Sequence, residues 1–133
     1  VLWFTGDGSF GFYAMEMETM ARLGIPVVCV ISNNSSWGMI HMAEKYVRPQ
    51  EIEEKGPCNV ALHPMRAYEK MTEMWGGYGE KATDPAEILP AIQRAAADAR
   101  GGRPAIVNVE VDDVSLSPFI AGYANMIKPE KAA

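Results

Sequence analysis

An aspartate set between two glycines, Gly6-Asp7-Gly8-Ser9-Phe10, is answered 27 positions later by the pair Asn33-Asn34. Between them lie one helical pattern and one apolar strand pattern. That arrangement brings a carboxylate and an amide oxygen to the same edge of a parallel sheet. Two hard oxygen ligands beside a glycine turn that opens a helix suit a divalent cation carrying a diphosphate. Gly6 and Gly8 let a ligand approach the main chain, and the free amides near Ser9 and Phe10 favour an anion. Taken alone, Gly-Asp-Gly and Asn-Asn are ordinary turn chemistry. The conjunction at this spacing carries the reading.

The elements that must position these residues read as follows. Val1 to Thr5 is continuously apolar and is predicted as a buried strand. Gly6 to Ser9 is a turn. Phe12, Met15, Met17, Met20, Ala21 and Leu23 recur at helical spacing, predicting a helix over 10–23 that Gly24 ends and Pro26 cannot continue. Val27 to Ser32 is a second buried strand. Strand, helix and strand within about 32 residues make the minimal βαβ crossover, right-handed in nearly all proteins. In open parallel sheets ligands sit beyond the carboxyl ends of the strands, where Gly6-Asp7-Gly8 and Asn33-Asn34 both fall.

Downstream, 33–38 is turn-like, 39–46 is a short helix and 47–62 a loop. His63-Pro64 is expected to start a helix whose buried face is Met65, Ala67, Tyr68, Met71, Met74 and Trp75, with Gly76-Gly77 ending it. Tyr78 to Ala82 is a short strand. Asp84-Pro85-Ala86-Glu87 is a strong helix start, with Asp84 as cap and Glu87 able to close a capping box. Ile88, Leu89, Ile92, Ala95, Ala96 and Ala99 mark that helix's buried face, and Pro90 removes one backbone hydrogen bond within it. Pro104 to Val111 is a strand. The predicted fold is α/β, a three-layer parallel sheet with helices on both faces. The diphosphate-binding unit spans 1–112 and a tail spans 113–133.

At 133 residues the chain has the size of one domain. A net charge of −5 argues against a general nucleic-acid binder, which needs a basic face. No apolar run reaches the length of a membrane span and no signal peptide is visible, so a cytoplasmic protein is expected. Cys29 lies in a strand pattern and Cys58 in a Gly-Pro loop, which favours free thiols over a disulfide and provides no zinc site. Because the chain opens directly on a strand, and a parallel strand needs neighbours, it is read as part of a larger polypeptide. His41 could face substrate but reads more simply as exposed, and His63 as a helix-entry residue. The nine methionines are core filling at helical spacing, some of them available to an apolar substrate pocket. Trp37 is either a pocket wall or a packing element.

Gly6-Asp7-Gly8, followed after a helix and strand by Asn33-Asn34, resembles the thiamine-diphosphate-binding motif of thiamine-dependent enzymes. The resemblance is greatest to the acetolactate synthase-like group, with benzaldehyde lyase, oxalyl-CoA decarboxylase and the 2-hydroxyacyl-CoA lyases. Asn33-Asn34-Ser35-Ser36-Trp37-Gly38 is similar to the benzaldehyde lyase version. The resemblance extends to about Asp112, through Met74-Trp75-Gly76-Gly77-Tyr78-Gly79 and Arg103-Pro104-Ala105-Ile106-Val107-Asn108-Val109.

That resemblance implies a cofactor site. Asp7, the side-chain oxygen of Asn34 and the backbone carbonyl of Ser36 would bind Mg²⁺. Gly8 and Ser9 would contact the diphosphate, with Gly6 in the same turn and Trp37 in the cofactor loop. Gly38 would let the loop pass close to the phosphates, and Met39 and Ile40 would lie near the organic part of the cofactor and the substrate. It implies decarboxylation or carboligation of 2-oxo acids or 2-hydroxyacyl compounds, with 2-hydroxyacyl-CoA lyase or oxalyl-CoA decarboxylase-like activity as the alternative. The family's activating glutamate sits in a pyrimidine-binding domain of the same or another subunit, and no stretch of this chain matches it. A homodimer or homotetramer follows. Outside the family, the competing reading is a non-catalytic phosphate- or nucleotide-binding α/β module, disfavoured because neither GxGxxG nor GxxxxGK[ST] occurs.

Overall fold

The computed structural model describes residues 1–112 and Gly122. The tail expected over 113–133 otherwise lies outside the described residues. Four strands, β1 (Leu2–Gly6), β2 (Val28–Asn33), β3 (Gly79–Ala82) and β4 (Ala105–Glu110), form one sheet in the order β1-β2-β4-β3. Every pairing is parallel. Gly6 is in register with Ser32, and Asn33 with Glu110, so the carboxyl ends of β1, β2 and β4 share one edge.

Helices cover both faces, as the apolar patterns require. On one face α5 (Pro85–Ala99) lays its small residues Ala91, Ala95 and Ala99 against Val28, Val30, Val107 and Val109. The i, i+4, i+8 spacing of those alanines makes a flat stripe on which helix and sheet pack closely. The Asp84 carboxylate caps α5, accepting the Ala86 N–H at 2.8 Å, and Pro90 sits within the helix. On the other face Phe10 and Met17 bury against Cys29, Ile31 and Ile106, with Tyr68, Met71 and Trp75 packed around them. The Trp75 indole N–H donates to the Pro104 carbonyl at 3.0 Å, so its polar atom is satisfied where its ring is buried.

The structure departs from the sequence pattern in several elements. The strand expected to be buried over Val1 to Thr5 forms as β1, but as an edge strand with Leu2 and Phe4 exposed. The helix expected over 10–23 is two: α1 (Asp7–Tyr13) and α2 (Glu16–Arg22). Bonds of the i→i−3 type, from Met17 N–H to Ala14 and from Glu18 N–H to Met15, replace the regular ladder between them. The apolar phase shifts with the break, and Phe12, Met15 and Leu23 end up exposed while Phe10 takes the core position. The Gly6–Ser9 turn is also shorter than expected, because α1 already starts at Asp7.

The loop expected over 47–62 contains a helix. After α3 (Gly38–Val47) comes α4 (Pro49–Lys55), with Pro49 in its first turn and Gly56, at φ +74°, beyond its end. Glu51 pairs with Lys55 one turn on and with Arg48. Conversely, His63-Pro64 does not start a helix. Met65 is held at φ +43°, outside the helical region, and the regular element is a 3₁₀ helix over Tyr68–Met74. Met65 and Met74 are exposed rather than buried on its face, and so is Leu89 on α5.

Candidate functional site

β1 runs out at Gly6, extended at φ −83° and ψ 158°, and the next residue, Asp7, opens α1. β2 runs out beside it at Ser32 and Asn33. The chain then turns through Ser35, a non-glycine residue at φ +56°, and enters α3 at Gly38. Two helix first turns therefore meet at the paired strand ends, each with backbone amides free of intrahelical partners. Between them lies a cleft of about 360 Å³.

Asp7 forms part of that cleft's wall yet is only 2 % exposed. Its Oδ2 is buried without a hydrogen-bond partner. Burial pushes its carboxyl above the ordinary 3.8, against the pull of the backbone amides of Gly8, Ser35 and Ser36. A buried carboxylate oxygen left unpaired is costly unless something positive meets it. The Asp7 charge is also felt at Tyr68, whose phenol is raised by burial first and by Asp7 second.

The remaining sequence-expected residues converge on the same place. Gly6, Gly8 and Ser9 from the first strand end, and Asn34, Ser36, Trp37 and Gly38 from the second, line the cleft, with Met39 and Ile40 at the start of α3. Asn34 Oδ1 accepts the Ser36 N–H at 3.2 Å, which leaves it a second lone pair. Both glycines sit where a side chain would displace a neighbour that lines the cleft. A Cβ on Gly8 would sit 2.8 Å from the Trp37 indole, and one on Gly38 would sit 2.7 Å from Asn34 Nδ2. The Trp37 ring is clamped between Gly8 and Phe12, with 5.3 Å between the two ring centroids.

Among the described residues no group of three or more His, Cys, Asp and Glu could hold a metal. A cation here would be met by one carboxylate and neutral oxygens. Such a set fits a hard, oxygen-seeking ion that also takes ligands from a phosphate, as Mg²⁺ does. The orphaned Asp7 oxygen satisfies that fit. The histidines do not join: neither His41 nor His63 lines the cleft, and the His63 ring contacts the Pro64 carbonyl. Both cysteines are free. Burial pushes the Cys29 thiol up to about 12.

Sequence reading left one contributor unassigned. Ser32 lines the cleft from the end of β2, hidden in the pattern as the last residue of an apolar strand. Asn33, half of the asparagine pair, is 1 % exposed and does not line the cleft.

Residues 1–109 match the family described as thiamine pyrophosphate enzyme, C-terminal TPP binding domain. The chain belongs to that family. It is 41% identical over 107 residues to a probable acetolactate synthase of Mycobacterium bovis, an overlap of 80% of this chain and 18% of that protein. It is 34% identical over 110 residues to a 2-hydroxyacyl-CoA lyase of Oryza sativa subsp. japonica, covering 80% of this chain and 18% of that protein. An oxalyl-CoA decarboxylase of Escherichia coli K12 is 30% identical over 128 residues, covering 96% of this chain and 21% of that protein. The chain thus spans about a fifth of the length of these relatives. The crystal structure of benzoylformate decarboxylase from Polynucleobacter necessarius shares the fold, with a TM-score of 0.65 and 19% identity over 89% of this chain and 20% of that one. No helix among the described residues is long and apolar enough to cross a membrane.

Proposed function

We propose that this domain binds Mg²⁺ and thiamine diphosphate as part of a carbon–carbon lyase or carboligase of the acetolactate synthase-like kind, acting on 2-oxo acids or 2-hydroxyacyl compounds. The observation that carries the reading is the buried, unpartnered Asp7 Oδ2 at the joined ends of β1 and β2. Asp7, the Asn34 side-chain oxygen and the Ser36 carbonyl would hold the ion. The backbone of Gly8 and the hydroxyl of Ser9 would hold the diphosphate, assisted by the first turns of α1 and α3. Gly38 keeps Asn34 in place, Trp37 walls the cleft, and Met39 and Ile40 give it an apolar side that keeps water from the cofactor's organic part. When bound, the cofactor supplies an electron sink for cleavage of a carbon–carbon bond.

On this reading none of the described residues acts as an acid or base at the reacting atoms. The activating glutamate belongs, on this reading, to a pyrimidine-binding domain of the same or another subunit, within a homodimer or homotetramer located in the cytoplasm. The relatives named as 2-hydroxyacyl-CoA lyase and oxalyl-CoA decarboxylase support a CoA-linked substrate as the second reading.

Calorimetric titration of the full-length protein with thiamine diphosphate, with and without Mg²⁺, tests the proposal. Binding that needs Mg²⁺ and disappears in Asp7→Ala is expected. Unchanged affinity in that variant, or preferential binding of ATP or a flavin, would overturn it in favour of a non-catalytic phosphate- or nucleotide-binding module.

A further inference from the structure

The asparagine pair divides its labour: Asn34 lines the cleft, while Asn33 turns into the protein. Alternation along β2 puts Asn33 on the face of Cys29 and Ile31, and alternation along β4 puts Asn108 on the face of Ile106. The two amides meet there, Asn33 Nδ2 donating to Asn108 Oδ1 at 3.2 Å. Both side chains are essentially inaccessible to solvent, and both amides also donate to the Arg66 carbonyl, at 3.1 Å and 2.9 Å. Asn108 Nδ2 further donates to Glu69 Oε2 at 2.7 Å. Asn33 Oδ1 accepts the Ser35 N–H at 3.2 Å, and Ser35 Oγ accepts the Met65 N–H at 2.7 Å. A ring of hydrogen bonds therefore closes from Asn33 to Ser35, to Met65, through the chain to Arg66 and back to Asn33. It locks two left-handed residues, Ser35 and Met65, 30 positions apart, into one another.

The consequence reaches the cleft. Ser35 precedes Ser36, which lines the cleft together with Asp7, and the backbone amides of both serines draw on the Asp7 carboxylate. A non-glycine residue stays left-handed only where its surroundings over-determine it. We propose that Asn33 and Asn108 are positioning residues, which hold the Ser35–Ser36 turn at the distance from Asp7 that a divalent cation and its diphosphate require. Neither touches the ligand. This inference rests on the proposed function of the cleft and adds to it a buried support whose far member comes from β4.

The test uses the full-length protein and three variants: Asn108→Ala, Ser35→Ala, which cuts the same ring at a less buried link, and Asp84→Ala, which weakens the fold at the remote cap of α5. Hydrogen exchange of 33–37 is followed without ligand, and Mg²⁺ is titrated at fixed thiamine diphosphate. Asn108→Ala and Ser35→Ala should speed exchange in 33–37 and weaken apparent Mg²⁺ affinity by about tenfold or more. With saturating Mg²⁺ their kcat should recover, and Asp84→Ala should leave both readouts unchanged. Faster exchange with unaltered Mg²⁺ affinity would overturn the inference while leaving the proposed function standing. Mg²⁺ affinity that falls equally in Asp84→Ala would reduce the network to ordinary fold stability and overturn it as well. Absence of Mg²⁺-dependent binding in the unsubstituted protein would instead overturn the proposed function, and this inference with it.

Discussion

Gly8 and Trp37 are fitted to each other: the indole occupies the space that any side chain at position 8 would need. Replacing Gly8 by Ala gains helix propensity in α1 but forces the ring aside, and the overpacking outweighs the gain. A net loss of about 1–2 kcal/mol is expected in urea denaturation. Acrylamide should quench more of the tryptophan fluorescence than in the unsubstituted protein. An unaltered quenching constant would contradict the fit.

The charge on Asp7 should make the metal-free protein weaker as pH rises. Its carboxyl is raised above the ordinary 3.8 by burial, so the folded state holds its proton longer than the unfolded state. Stability from this group is therefore full below the unfolded value and is lost as pH rises from there through the folded value. Asp7→Asn should be more stable than the unsubstituted protein at neutral pH, with the difference shrinking in acid. Denaturation midpoints measured from acid to neutral pH read this directly. Mg²⁺ with thiamine diphosphate should reverse the order at neutral pH.

Asn34→Ala should separate binding from folding. The hydrogen bond it accepts from the Ser36 N–H is partly exposed, so its loss costs about 1 kcal/mol or less. Cofactor binding should nonetheless fall by more than tenfold in calorimetry, a change of about 1.4 kcal/mol or more in binding free energy.

The α5 cap gives the opposite pattern. Asp84→Ala removes the acceptor of the Ala86 N–H and should lower stability by about 1 kcal/mol, with cofactor affinity unchanged.

The two thiols should differ sharply in reactivity. Cys29 is buried in the core with its thiol pushed up to about 12, whereas Cys58 is exposed. An aromatic disulfide reagent should label one thiol per native chain at pH 8 and both in denaturant. Rapid native labelling of both would mean that the β2 core opens readily.

The parts of the fold that could be read from residue types alone are those set by local chemistry. The strands of β1, β2 and β4 are nearly uniform apolar runs, and Asp84-Pro85 announces α5 by capping. The cleft was legible for the same reason, since Gly6-Asp7-Gly8 and Asn34 to Ile40 lie next to strand ends whose order the βαβ unit dictates. What stayed hidden depends on contacts distant in sequence. The left-handed turn at Met65, which displaces the helix expected from His63-Pro64, exists because Ser35 accepts its N–H. The break between α1 and α2 has no proline to mark it, so residue types alone extend one helix across it. Asn33 looked like a turn residue because nothing nearby discloses its partner 75 positions away.

β1 has a neighbouring strand on one side only among the described residues, and its Leu2 and Phe4 are exposed. Such a margin is a template on which another extended backbone can zip. Produced by itself, this chain would therefore tend to self-associate through β1. A soluble stand-alone version needs charge at Leu2 and Phe4 more than it needs a better core.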